Sequence, residues 1–143
     1  MYAEELMRQK GFFSPKEELA QLAKQIWRAY RIVLDVGLHT GDVSVEEAEK
    51  ILRDKVFLTA GNAKKEIYRY SSREPMQAIT YMVGRFQIEE LKENYKAILG
   101  SAFSEAEFHK RFLSYGPVPP TEIAPVMLDE ARREAVAAQK KVN

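Results

Sequence analysis

Apolar residues recur at every third or fourth position along almost the whole chain. This period is that of an amphipathic helix, and no stretch alternates with period two for long enough to predict a strand. The pattern therefore predicts an all-α protein of six or seven helices, two of them long, in an orthogonal or bundle-like arrangement. A length of 143 residues suits one domain, so we expect a single helical domain, with residues 131–143 exposed or frayed.

Three capping signals mark the starts of helices. A serine followed three residues later by a glutamate occurs at Ser14–Glu17, Ser44–Glu47 and Ser104–Glu107, which is the pattern of a capping box. The first signal opens a long helix that ends at His39-Thr40-Gly41. Its apolar positions are Leu19, Leu22, Ala23, Ile26, Tyr30, Val33 and Gly37, widened by Trp27, Leu34 and Leu38. An apolar surface this wide predicts a central helix that is contacted from more than one side.

A second long helix is predicted from Pro75 to about Leu99. Gln77, Tyr81 and Gly84 share one side of it, and a glycine in mid-helix usually marks the close approach of another backbone or a ligand. Two interpretations stay open. Gln77 and Tyr81 form an internal hydrogen-bonded pair beside a helix crossing at Gly84, or the stripe lines a cleft in which Tyr81 donates to an oxyanion. Arg69, just upstream, is expected to fold back beside Pro75.

His39 ends the first long helix and has two interpretations of its own. An imidazole there complements the negative end of the helix dipole, or it faces a substrate and is oriented by Asp35, four residues earlier. Neither histidine of the chain belongs to a metal-binding pattern, and no phosphate-binding loop is present. We therefore expect this chain to hold no metal or cofactor by itself.

The amino-acid composition limits which kinds of partner and which cellular compartment we expect. Lys and Arg number 22 against 21 Asp and Glu, so the chain lacks the basic excess that is typical of nucleic-acid binding. It contains no cysteine, which fits a reducing compartment. It has no apolar run of membrane-spanning length and no signal-peptide pattern at its start. We expect a cytoplasmic protein that binds neither nucleic acid nor membrane.

Three segments carry a family resemblance. They are the opening residues 2–7, the block Tyr30–Gly41 with residues 44–48, and Arg69-Tyr70 with Pro75, Gln77, Tyr81 and Gly84. Together they resemble the C-terminal part of a bacterial family called domain of unknown function 885. The likeness runs from the first residues to about residue 130.

The resemblance implies a relationship to zinc metallopeptidases of the gluzincin type, whose His-Glu-x-x-His-like motif lies upstream of the matching region. The chain would then be a fragment or truncated form that supplies one wall of the substrate cleft. Zinc is expected only in a complete family member, and this chain alone is expected to be inactive. By matched position, Tyr81 is the first candidate for stabilising the oxyanion. His39, Arg69 and Gln77 are candidates for binding a peptide backbone or carboxylate.

Two other functions compete with this hypothesis. The chain is a non-catalytic interaction module that forms a homodimer or pairs with an upstream catalytic half, through exposed aromatics such as Tyr2, Phe12, Phe13 and Trp27. Alternatively it is a helical bundle that binds a small molecule along the Gln77–Tyr81–Gly84 stripe.

Overall fold

The computed structural model describes residues 1–73 and 75–142, apart from the side chains of residues 72, 73, 139, 141 and 142. Within them lie seven α-helices and no strand, which confirms the all-α prediction. The helices are α1 (Tyr2–Gln9), α2 (Pro15–Thr40), α3 (Val45–Asp54), α4 (Ala60–Tyr68), α5 (Thr80–Leu99), α6 (Glu105–Ser114) and α7 (Pro120–Val142). None of these helices is both long and apolar enough to cross a membrane.

The chain separates into two compact units, Met1–Val83 and Gly84–Asn143, with the division inside α5. The first unit contains α1 to α4, and the second contains α6 and α7. Helix α7 continues through the segment that we expected to be exposed or frayed, and the described side chains after Ala131 are mostly exposed. Residue 143 lies outside the described residues.

The three predicted helix starts are confirmed by their hydrogen bonds. The Glu17 carboxylate accepts from the Ser14 backbone N–H at 2.9 Å, and the Glu47 carboxylate accepts from the Ser44 N–H at 2.9 Å. The Ser104 hydroxyl oxygen accepts from the Glu107 N–H at 3.4 Å. Each contact satisfies a backbone donor that the helix itself leaves without a partner.

The core of the first unit is built on one side of α2. Leu34 lies at its centre, and Trp27, Tyr30 and Leu38 pack against it. The buried members of this core are Leu34, Ala48, Leu52, Ala63, Ile67, Tyr70 and Ala78. Gly37 faces the following loop so closely that an added Cβ would lie 2.6 Å from a Val43 methyl carbon. Close packing at Gly37, not predicted from spacing, therefore fixes the loop on α2.

A further side of α2 is open to solvent. Five large apolar side chains on it are between 39% and 69% exposed: Leu19, Leu22, Ile26, Val33 and Val36. The core contacts α2 on the side of Leu34, and α1 contacts it on another side through Gln25, so the prediction of a helix contacted from more than one side is confirmed. Periodicity located an apolar stripe correctly, but the chain packs its core residues against the side that carries Leu34.

The predicted helix start at Pro75 is wrong, because α5 begins only at Thr80. A π-helical turn (Arg69–Arg73) and a 3₁₀ turn (Gln77–Ile79) precede it. Between them Met76 has a φ of 63°, a left-handed conformation that cannot continue a right-handed helix. The Asp35 carboxylate accepts from the Met76 backbone N–H at 3.3 Å, which attaches this turn to α2.

The second unit has its own core, which α5, α6 and α7 supply. Its buried members are Leu91, Tyr95, Phe108, Ile123, Met127 and Ala131. Tyr95 and Phe108 meet edge to face with ring centres 5.6 Å apart, a favoured geometry for aromatic pairs. Outside this core, Arg111 donates to the Glu134 carboxylate at 2.5 Å and links α6 to α7.

A buried carboxylate attaches α1 to α2. Glu5 is only 6% exposed and accepts from Arg8 at 2.7 Å, Gln9 at 3.1 Å and Gln25 at 2.8 Å. The hydrogen bond from Arg8 is the largest cause that lowers the pKa of Glu5, to about 2. The ionised form of this side chain is thus favoured by folding.

Because the pKa of Glu5 falls from 4.5 to about 2 on folding, its stabilising contribution is present above pH 4.5 and is lost as the pH falls toward 2. We expect Glu5→Gln to weaken the dependence of the free energy of unfolding on pH in this window. Fluorescence of Trp27, the single tryptophan, measures unfolding of the first unit. Between pH 6 and 8 both proteins should respond alike, and identical slopes below pH 4.5 would contradict this account.

We also expect Met76→Gly to raise the free energy of unfolding, by up to about 1 kcal/mol. A left-handed conformation costs a non-glycine residue about 1–2 kcal/mol, and the greater freedom of glycine in the unfolded chain offsets part of that gain. Urea unfolding followed by Trp27 fluorescence tests it. The control is Lys24→Gly in the interior of α2, which should destabilise by about 1 kcal/mol; a similar loss in both variants would refute the strain at Met76.

Candidate functional site

Three of the predicted site residues form a continuous line of hydrogen bonds in the first unit. The Arg69 guanidinium donates to the Gln77 side-chain oxygen at 2.6 Å, and the Gln77 amide nitrogen donates to the Tyr81 hydroxyl oxygen at 3.2 Å. Arg69 opens the π-helical turn, Gln77 opens the 3₁₀ turn, and Tyr81 is the second residue of α5. The predicted Gln77–Tyr81 pair is confirmed, although the two residues do not share one α-helix.

The direction of these hydrogen bonds determines what Tyr81 offers. A guanidinium has only donors, so the Gln77 oxygen must face Arg69 and its NH₂ group must face Tyr81. The phenolic oxygen therefore accepts, and its hydrogen is left to point to another acceptor. The hydrogen bond from Gln77 and then the one from Arg69 lower the pKa of Tyr81. With 41% of Tyr81 exposed, this donor is accessible from solvent.

His39 and Asp35 form a second polar pair near the C-terminal end of α2. His39 Nδ1 lies 2.7 Å from the Asp35 backbone oxygen and 3.1 Å from Asp35 Oδ1. Since both neighbours are acceptors, Nδ1 carries the hydrogen and Nε2 of the neutral ring is the free acceptor. Asp35 is 1% exposed, whereas the His39 side chain is 41% exposed. The expectation that Asp35 orients the imidazole is confirmed.

A groove of about 390 Å³ opens beside this pair. It runs between the end of α2 and the turn that precedes α5. Its lining residues are Asp35, Val36, His39, Thr40, Pro75, Met76 and Ile79. An apolar lining with a few polar groups at one place is the usual form of a ligand site. Ile79 and Gln77 belong to the same 3₁₀ turn. This short element therefore joins the groove to the hydrogen-bonded series Arg69–Gln77–Tyr81, which we call the Tyr81 line.

A buried ion pair joins α2, α4 and the π-helical turn beneath the surface of the site. Arg31 on α2 lies 2.9 Å from the Glu66 carboxylate on α4, and the Tyr70 hydroxyl donates to the same carboxylate at 2.6 Å. Burial, then the bond to Glu66, raises the pKa of Tyr70, so this phenol remains protonated. The network fixes α4 and the π-helical turn against α2, which places Arg69.

A comparison with protein-family models assigns the chain to a family. Residues 1–127 match the family described as bacterial protein of unknown function (DUF885). The chain belongs to the DUF885 family. No curated protein and no solved structure matches it.

The described residues of this DUF885 chain do not form a zinc site. A catalytic zinc needs three protein ligands, and the described residues contain no group of three or more His, Asp or Glu side chains that could hold a metal ion. Asp35 is buried and already accepts from His39 and from Met76. The chemistry that these residues offer is hydrogen bonding to a ligand.

Two residues predicted to be structural have different surroundings from those expected. Apart from its chain neighbours and the adjacent backbone of its own helix, a Cβ added to Gly84 would meet no atom of the described chain within 4 Å, so no close approach of another segment explains this glycine. Trp27 is not part of an exposed aromatic surface, because it packs against the core with the Arg31 guanidinium 4.8 Å from its ring centre. Pro75 lies in the turn before α5, where it lines the groove.

The sequence did not predict two residues that organise the site. The Met76 backbone joins the turn to Asp35, and Arg31 binds Glu66 and so helps to fix the π-helical turn that carries Arg69. The spacing of Arg31 four residues after Trp27 was a usable signal, because side chains at that interval are neighbours on a helix. A methionine gives no comparable signal for a left-handed turn, since this conformation is uncommon for any non-glycine residue.

The Tyr81 line predicts how one pKa responds to one substitution. Replacing Gln77 with leucine removes the amide that donates to the phenol, so the pKa of Tyr81 should rise toward its ordinary value of 10. NMR titration of ¹³C-labelled tyrosine measures it. Tyr115 in the second unit serves as the control and should titrate identically in both proteins; an unchanged Tyr81 would show that Gln77 does not donate to it.

Proposed function

We propose that this chain forms the substrate-binding wall of a metallopeptidase-like hydrolase site, in which Tyr81 donates to a carbonyl or carboxylate oxygen of a peptide. The line Arg69–Gln77–Tyr81 carries the proposal, because its hydrogen bonds leave the phenolic hydrogen as an outward donor. A core-forming tyrosine would bury its hydroxyl against an acceptor, as Tyr70 does against Glu66.

The charge of Arg69 strengthens this donor. Each bond in the line polarises the next, since hydrogen bonds in series reinforce one another. A donor held in place before the reaction stabilises negative charge that develops on a substrate oxygen without rearranging at that moment. The lowered pKa of Tyr81 is the sign of this field, and it favours a ligand oxygen that carries negative charge.

The pair of His39 and Asp35 adds a second contact point. With Nδ1 held by Asp35, His39 Nε2 accepts from a peptide N–H when neutral and donates to an oxygen when protonated. The groove beside it takes an apolar side chain against Val36, Met76 and Ile79. The proposed ligand is therefore a peptide with an apolar residue next to the oxygen that Tyr81 contacts.

The proposal assigns binding to this chain and bond cleavage to a complete site. Activation of a water by zinc requires three protein ligands, which the described residues do not assemble. We expect the purified chain to cleave no peptide and to contain no stoichiometric zinc in metal analysis by mass spectrometry. Tight zinc binding would contradict this division of roles.

Peptide binding by the chain itself tests the proposal. The probe is acetyl-alanyl-leucine with a free carboxylate, titrated into ¹⁵N-labelled protein and followed by NMR. We expect a dissociation constant of about 1 mM or weaker, as for a few contacts, with shifts around Tyr81 and the groove. Tyr81→Phe should weaken binding by about tenfold, because a hydrogen bond to a charged group contributes about 1.5 kcal/mol or more.

Tyr68→Phe provides the matched control, since Tyr68 is an exposed tyrosine on α4. Its effect on the affinity for the peptide should be small. The amide-capped form of the same peptide shows whether the negative charge contributes. Equal affinities of Tyr81→Phe and Tyr68→Phe, or no shifts near Tyr81 at saturating peptide, would refute the proposed role of Tyr81.

A further inference from the structure

The exposed side of α2 carries apolar residues in a regular order. Proceeding from one to the next, the intervals are three, four, three, four and three residues. The residues are Leu19, Leu22, Ile26, Ala29, Val33 and Val36, and all except Ala29 belong to the large apolar side chains that the structure leaves exposed. We call this set the α2 stripe.

The α2 stripe is separate from the core side of the same helix. At 3.6 residues per turn, its centre lies roughly 110° around the helix from Leu34, which is fully buried. Alternating intervals of three and four residues are the repeat of a coiled-coil seam, 3.5 residues on average over whole heptads, whereas a helix that packs on one globular core usually shows a period nearer 3.6. Exposed apolar patches of this kind usually mark an interaction site.

We propose that the α2 stripe is an interface for a second copy of this chain, with the two α2 helices antiparallel. In this arrangement Leu19 packs on Val36 of the second copy, Leu22 on Val33, and Ile26 on Ala29. Two-fold symmetry repeats each of these three layers once, so the interface contains six layers. Each layer joins a larger side chain to a smaller one, so the layers have similar volumes.

A parallel pair fits less well. It would place Ala29 against Ala29 and leave a gap between a layer of two isoleucines, Ile26, and a layer of two valines, Val33. Such a gap loses packing energy, because poorly filled space between helices has no atoms to provide contacts. Size complementarity therefore favours the antiparallel pair.

Charge complementarity points the same way. In the antiparallel pair, Glu18 at one end of the stripe flanks His39 at the other end of the second helix. The Glu18 carboxylate keeps its contact with Arg8 at 3.0 Å and accepts a second hydrogen bond from His39 Nε2 when the imidazole is protonated. In a parallel pair the corresponding flanking position opposite Glu18 is Ala23, which offers no charge. Antiparallel helices also bring opposite ends of their dipoles together.

The size of the surface sets the expected strength. A helix of 26 residues is about 39 Å long and about 10 Å wide, so two such helices bury roughly 800 Å² in projection and more when side chains interdigitate. This area lies below the roughly 1,200 Å² at which standard specific interfaces begin, in the range of weak and transient association. We therefore expect a dissociation constant in the micromolar range.

The second copy would also reach the groove described above. Val36 and His39 belong to its lining, so the second copy's Leu19 and Glu18 would border it. In the absence of peptide, association does not depend on Tyr81, which lies outside the α2 stripe.

The absence of cysteine from the natural sequence permits a test by disulfide cross-linking. The double variant Leu22→Cys/Val33→Cys should form a covalent dimer under mild oxidation. Each single variant should not, because its two cysteines would lie eleven residues apart along the paired helices, about 16 Å, beyond disulfide reach. The matched control is Leu113→Cys/Val136→Cys, at exposed apolar positions of the second unit. A covalent dimer from single Leu22→Cys, or equal dimer from the control pair, would overturn the antiparallel interface.

Sedimentation of the unsubstituted chain gives an independent readout. We expect a monomer–dimer equilibrium at about 10–200 µM, with Ile26→Glu raising the dissociation constant at least tenfold while circular dichroism stays unchanged. Leu113→Glu should leave it unaltered. A monomer at about 200 µM, or an Ile26→Glu variant that still associates, refutes the proposal. Tyr81→Phe should leave association unchanged, which separates this outcome from any failure of peptide binding.

Discussion

The buried carboxylate of Asp35 organises the candidate site. One of its oxygens accepts from the Met76 backbone N–H and from His39 Nδ1, so one side chain fixes both the turn before α5 and the imidazole at the end of α2. A buried polar group is costly unless hydrogen bonds compensate for its lost hydration. The two contacts supply part of that compensation, and they hold together elements that are 41 residues apart in sequence.

Fixing the turn has consequences for the Tyr81 line. Met76 adopts its left-handed conformation where the chain must stop one helical turn and start another. This strain is maintained by the surrounding contacts, as is common at functional sites. Because the turn is held, Gln77 faces Arg69 on one side and Tyr81 on the other. The arrangement of the site therefore depends on the interruption of the helix at Met76. A continuous helix from Pro75 would lack this turn.

The parts of the fold that depend on local chemistry were predictable from sequence. A serine with a glutamate three residues later makes its own hydrogen bonds, so all three helix starts follow from short motifs. Gln77 and Tyr81 also interact across a four-residue interval, which a 3₁₀ turn leading into α5 preserves. The break at Met76 was not predictable, because it depends on a hydrogen bond to a distant aspartate.

The surroundings of glycines and apolar residues were likewise not predictable from the sequence. Gly84 has open space around its Cα, whereas Gly37 meets Val43, and no local pattern distinguishes a crowded glycine from an uncrowded one. Likewise, periodicity shows that α2 has apolar residues on more than one side but not which side the chain covers. Only the packing of α3 and α4 against the Leu34 side decides that.

Helix α2 thus carries two different surfaces that meet at its C-terminal end. Its polar pair, Asp35 and His39, orients the candidate binding groove, while Val36 belongs both to that groove and to the α2 stripe. A residue shared by two surfaces couples them, since whatever covers the stripe also changes the wall of the groove. Differential contact of this kind is sufficient for one binding event to alter the affinity of another. Self-association through α2 and recognition of a peptide at its end would then influence each other through Val36, without any change in the Tyr81 line.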